Sequence, residues 1–137
     1  MTEYISEIKT IPYCDERIFS TLSDLSNLER IKDRIPEDRI KEFSFTSDSC
    51  SIEIPPVGKI DFQIVNREPN KTIKFATVNS PLPLFLWIQL KQTDENVTKL
   101  KMTLRAAFNP LLKTMVAKPV QEGLNKLADV IATIPYD

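Results

Sequence analysis

"KLKMTLRAAFNPLLKTMVAKPVQEGLNKLADVIATIP" (99–135) changes its hydrophobic period at one point, and that change decides the fold. Up to Phe108 the apolar residues alternate. Leu100, Met102, Leu104 and Ala106 share one face, and Lys101, Thr103 and Arg105 the other. Such alternation is that of a strand with one buried and one wet face. From Asn109 onward the step becomes three and four, through Leu112, Met115, Val116, Val120, Leu124, Leu127 and Ile131, which is one face of a helix. Asn109 supplies the N-cap and Pro110 the first helical position, where a missing N–H costs nothing. Lys113, Lys118, Gln121, Glu122, Asn125 and Asp129 fall largely on the opposite side. A strand therefore delivers the chain straight into a long C-terminal helix.

Two residues stand out in that helix. Pro119 has no N–H for the Met115 carbonyl and its ring crowds it, so a kink is expected there. Gly123 follows four residues later on the same face, in a chain with only 2 Gly among 137 residues. Two readings stay open. In one, the kink separates a gating half (110–118) from an anchored half (120–132), with Gly123 allowing close approach to the sheet or hairpin. In the other, the bend only fits the curvature of the sheet.

Upstream, "EYISEIKTIPY" (3–13) reads as a first strand. Asp15 is placed to cap a helix with Ile18, Phe19 and Leu22 on its apolar stripe. "SDLSN" (23–27) breaks it, and a second short helix carrying Leu28 and Ile31 stops before Pro36. Alternation then returns in "RIKEFSFTSD", where Lys41, Phe43 and Phe45 share a face, and in "CSIEI" with Cys50, Ile52 and Ile54. It continues in "KIDFQIV" with Ile60, Phe62 and Ile64, and in "TIKFATV" with Ile73, Phe75 and Thr77. The separators "TSDS", "PPVG", "REPNK", "NSPLP" and "TDEN" are turn chemistry, so successive strands should pair as a meander. "LFLWIQL" (84–90) fits either face: Leu86, Ile88 and Leu90 inward with Phe85 and Trp87 outside, or Trp87 in the inner wall.

Composition excludes several functions. A net charge of −1 with interspersed signs argues against a nucleic-acid binder. No apolar run is long enough to span a bilayer, and "MTEYISEIKT" has no signal-like apolar core. The absence of histidine removes Ser-His-Asp and Cys-His nucleophile systems and histidine-ligated metals or haem. Two isolated glycines make no phosphate-cradling loop. Cys14 and Cys50 have no metal-like spacing, and reduced thiols in a cytoplasmic protein are expected. No catalytic residue, metal ligand or cofactor is assigned. Glu53, Asp61, Gln63 and Arg105 read as a solvated outer face, Cys50 as a small core residue. Tyr4, Tyr13, Cys14 and Cys50 are candidate polar contacts in an interior pocket, and "PPVG" and "NSPLP", with Leu111, Leu112 and Met115, candidate rims of its mouth.

The order of strand, helical hairpin, meander and long helix resembles the helix-grip fold of the START-like superfamily, also called polyketide cyclase/dehydrase-like (SRPBCC). The residues that carry it are "IPYCDERIFSTLSDLSNLERI" (11–31), "REPNKTIKF" (67–75), "LFLWIQL" (84–90) and the helix from Asn109 to Ile131. The resemblance implies an α+β fold in one domain, residues 1–137. A curved antiparallel sheet of about seven strands wraps a long C-terminal helix, with a short helical hairpin after the first strand. The superfamily spans lipid carriers, hormone and quinone binders, cyclases, oxygenase domains and chaperone cofactors, so it assigns no single activity.

A sheet curled around one helix leaves a cavity unless side chains fill it, and here the inward residues are apolar. The expected function is binding or carriage of a small hydrophobic ligand (lipid, isoprenoid or polyketide-like), without catalysis. The expected lining is Ile52, Ile54, Phe62, Phe75, Leu86, Ile88, Met102, Leu112, Met115 and Val116. A full, dry core is the alternative for the same residues. Two other classes remain: a cyclase/dehydratase-type enzyme, which a buried carboxylate or tyrosine aimed inward would favour, and a protein-interaction module. The latter would use an exposed Phe85/Trp87 surface, where a homodimer would also form.

Overall fold

The computed structural model describes residues 2–27, 43–54, 58–78, 83–134 and 136, with the side chains of 43–45, 52–54 and 58–59 excepted. Its elements are β1 (Thr2–Ile5), β2 (Lys9–Ile11), α1 (Asp15–Leu22), β3 (Phe43–Phe45), β4 (Ser49–Ile54), β5 (Gly58–Glu68), β6 (Thr72–Thr77), β7 (Leu84–Asp94), β8 (Val97–Ala106) and α2 (Pro110–Thr133). The second short helix read at Leu28 and Ile31 lies outside the described residues, as do the candidate rim residues 55–57 and 79–82.

The strands form one curved, unclosed antiparallel sheet in the order β1-β8-β7-β6-β5-β4-β3, with β2 also on β8. Seven positions across the sheet thus match the expected architecture. From β3 to β8 the pairing is the meander that the short turns demand. The turn between β5 and β6 shows why it is tight. Lys71 N–H donates to the Glu68 carbonyl at 3.0 Å, Pro69 presets one φ, and Asn70 takes a φ of 62°. Pro then a positive-φ Asn is the pattern of a type II turn.

The first strand differs from the sequence reading. It is two segments on the same partner: β1 sits opposite Leu104 and its neighbours, β2 opposite Leu100 and its neighbours. Ser6 makes the break. Its backbone N–H donates to the Met102 carbonyl at 2.8 Å, while its hydroxyl accepts from the Met102 N–H at 2.9 Å. A side chain replaces a backbone partner, so the ladder is interrupted without leaving a buried group unpaired.

The cap of α1 is also corrected. Cys14 is the N-cap and makes no side-chain cap bond, while Asp15 and Glu16 are in the first turn, where negative charge suits the helix dipole. The Gln92 side chain of β7 accepts the Asp15 N–H at 2.9 Å instead. At the other end of α1, Arg67 of β5 donates to the Ser23 carbonyl and pairs with Asp48 at 2.6 Å, tying the helix end to the β3–β4 turn.

Asn109 and Pro110 do what the sequence indicates: the Asn109 side chain accepts the Leu112 N–H at 2.8 Å, and Pro110 opens the helix. The helix is continuous to Thr133 with Pro119 inside it. Val116, Val120, Leu124, Ala128 and Ile131 form its buried stripe.

Candidate functional site

The inner face of the sheet is built from rows of side chains running across the strands. Tyr4 lies opposite Leu104, Leu104 opposite Leu86, Leu86 opposite Phe75, and Phe75 opposite Ile64. Beside that row, Met102 faces Ile88 and Ile88 faces Ile73, and further along Phe62 lies opposite Cys50. All of these are buried. Each row is the alternation of the sequence made three-dimensional, since residues of one parity on paired strands share a face.

Over this face α2 does not lie evenly. Its backbone comes close mainly to β1, β2 and β8 on one flank and to β4 on the other. The helix therefore straddles the concave sheet and bridges β5, β6 and β7, whose inward side chains fill the intervening layer. Phe62, Phe75 and Met102 are 1%, 2% and 0% exposed, so that layer is closed to solvent. Leu86, Ile88 and Val116 are buried in it, and Leu112 is half-buried against it. Met115 is not in that layer: it is 54% exposed, and Leu111 is 74% exposed. On an N-terminal helix turn whose buried stripe begins at Val116, both point to water. Ile52 and Ile54 belong to β4, opposite Ile60 and Gly58, and their side chains lie outside the described residues.

Three polar residues of α2 meet the first strand. Gln121, Asn125 and Asp129, four apart, form a stripe against the broken first strand. Gln121 donates to the Ile5 carbonyl at 2.9 Å, Asn125 accepts the Glu7 N–H at 3.0 Å, and Asp129 pairs with Lys9 at 2.9 Å. Asp129 first, then Glu7 at 3.2 Å, holds the Lys9 ammonium above its ordinary pKa. Spacing shows which residues share a helix face but not what that face meets. All three clips lie after Pro119. Gly123 gives no close approach: it is exposed, and a Cβ there would meet nothing within 4 Å.

The orientation of Trp87 is settled by its neighbours. Leu84, Leu86, Ile88 and Leu90 are buried, so Phe85 and Trp87 face outward. They are half-buried, because Lys74 lies over both rings at 5.1 and 5.3 Å. The ammonium is attracted to the negative faces of both rings.

Among the described residues few polar side chains are buried. Ser6 is paired as described, Thr98 donates to the Tyr13 carbonyl at 2.7 Å, Thr103 to Gln89 at 2.8 Å, and Tyr136 to the Ile131 carbonyl at 2.7 Å. Burial pushes the Cys50 thiol up to about 12, with Asp61 adding to the shift, so it is no nucleophile at neutral pH. The Tyr4 hydroxyl is the exception. Among the described residues it is the buried side-chain oxygen or nitrogen without a hydrogen-bond partner. The sequence offered Tyr4 as a candidate polar contact of an interior pocket, and the structure buries it; its unpaired state was not legible.

No protein-family model matches the chain, and no curated protein matches it by sequence. Solved structures match it closely in shape. A START superfamily protein from Mycobacterium smegmatis gives a TM-score of 0.69 over 95% of this chain and 94% of that one, at 14% identity. A Thermus thermophilus protein gives 0.66 over 96% and 94%, at 16% identity. Norcoclaurine synthase from Thalictrum flavum gives 0.70 over 96% and 85%, at 12% identity, and it has also been solved in complex with dopamine and hydroxybenzaldehyde. At such identities the likeness is one of fold. Among the described residues no helix is long and apolar enough to cross a membrane. With its unclosed antiparallel sheet curved beneath one long C-terminal helix, the chain has the helix-grip fold of the START-like superfamily.

Proposed function

We propose that the chain binds and carries a small hydrophobic molecule in the layer between α2 and β5–β7. The observation that carries this reading is the straddling of α2, which rests on both flanks of the sheet over strands whose inward side chains are apolar. That layer is closed, so uptake needs the helix to lift. The half of α2 before Pro119 is suited to it, since the polar clips described above fasten the other half, and Leu111 and Met115 give it an apolar outer lip. Leu112, Met115 and Val116 would then meet the ligand on its way in, and Phe62, Phe75, Leu86, Ile88 and Met102, with Ile52 and Ile54 of β4, would surround it. Packing of α2 on β1 and β2 supports residues 1–137 acting as one domain, and the two free thiols support a reducing compartment such as the cytoplasm.

A cyclase/dehydratase-type enzyme has one observation in its favour, the buried phenol of Tyr4. Against it, no carboxylate is buried among the described residues to exchange a proton with that phenol. An interaction module or homodimer built on Phe85 and Trp87 draws less support, because Lys74 already covers both rings.

Native mass spectrometry of the purified protein, before and after organic extraction, tests the carrier reading. A bound apolar molecule that extraction removes and re-addition restores is expected. Protein that neither carries nor takes up any apolar compound would overturn it.

A further inference from the structure

Resting on the carrier reading, we infer that the Tyr4 hydroxyl is the polar anchor of the interior site. Its ligand is an uncharged molecule with one oxygen acceptor, such as an ester or ketone carbonyl, on an otherwise apolar body. Tyr4 is 8% exposed, and its hydroxyl is sealed from water with no partner among the described residues. A buried hydroxyl is normally paired, as those of Ser6, Thr98, Thr103 and Tyr136 are. Its neighbours across the sheet, Leu104 and then Leu86 and Phe75, have no side-chain acceptor to offer. An acceptor arriving with a ligand would satisfy the phenol where water does not reach.

The same surroundings set the ligand's charge. Among the described residues the buried set contains no Lys or Arg and no Asp or Glu. A carboxylate or an amine brought beside Tyr4 would be a buried charge without a counter-ion, which is costly. A neutral acceptor meets a neutral donor without that penalty.

Three fluorescent probes separate the possibilities: methyl parinarate (an ester), parinaric acid (the same chain as an anion) and diphenylhexatriene (a hydrocarbon). For the parent protein the ester should bind more tightly than the acid. Tyr4→Phe should weaken the ester about tenfold, the scale of one hydrogen bond, and leave diphenylhexatriene unchanged. Without ligand, Tyr4→Phe should melt at or above the parental temperature, whereas Tyr136→Phe, which removes a paired hydroxyl, should melt lower. Equal ester affinity in parent and Tyr4→Phe, with the hydrocarbon still bound, overturns the anchor and leaves the carrier reading standing. Acid binding as tight as ester binding overturns the neutral-ligand assignment. Binding of none of the three overturns both proposals together.

Discussion

Asp129 of α2 meets Lys9 of β2 at 2.9 Å, joining the last turns of the C-terminal helix to the first strand across most of the chain's length. With Gln121 and Asn125 on the same stripe, these polar contacts to the first strand all lie after Pro119. Amide hydrogen exchange should accordingly be faster in 110–118 than in 120–132. Pro119→Ala, which restores a helical N–H, should raise stability by up to about 3 kcal/mol and slow the uptake of an apolar fluorescent probe. Uniform exchange along α2, with parental uptake in the variant, would mean that Pro119 only fits the helix to the sheet.

Phe75 sits between Leu86 and Ile64 on the inner face and is fully packed. Phe75→Ala should therefore cost about 3–5 kcal/mol in chemical denaturation, the range for a large aromatic lost from a closed core. A cost below about 1 kcal/mol would show that the ring already borders free space.

Gly123 is exposed in mid-helix, and nothing stands where a Cβ would go. Gly123→Ala should stabilise by about 1 kcal/mol through helix propensity and a smaller unfolded ensemble. A drop in melting temperature would reveal a contact at that face which the fold does not show.

Alkaline pH should destabilise the protein through Cys50. Its thiol is neutral when protonated, and burial raises its pKa from near 9 to about 12. The unfolded chain therefore releases that proton first. The contribution is complete below pH 9 and is lost as pH rises from there towards 12. Burial pushes the Tyr136 phenol upward as well, with the same sign. Cys50→Ala should flatten the alkaline limb of the stability curve. Iodoacetamide at pH 8 should label Cys14, which is half-buried, well before Cys50, and equal rates would contradict the closed core.

Strands with one wet face were legible because alternation is a local signal, and the inward placement of Leu104, Phe75 and Ile64 follows from it directly. The start of α2 was legible for the same reason, since Asn109 and Pro110 act on their own backbone. What depended on distant partners was not. Ser6 interrupts a strand only because Met102 is beside it to bond its hydroxyl, and Cys14 rather than Asp15 begins α1 because Gln92 of β7 takes the Asp15 N–H. What the stripe of Gln121, Asn125 and Asp129 meets was not legible, because its partners lie more than a hundred residues earlier. Trp87 was ambiguous on parity alone, and its burial beneath Lys74 needed the register of β6 against β7.

The interruption at Ser6 also bears on how copies of the chain behave at high concentration. An unclosed sheet has two rims of unpaired backbone groups, each able to recruit a strand from another molecule. One rim here is divided into β1 and β2, of four and three residues; among the described residues the other is β3, of three. The divided rim offers no long straight run of the kind that stacking needs. Ser6→Val, which removes the hydroxyl that interrupts the ladder, should join β1 to β2, lengthen that rim and raise light scattering on heating.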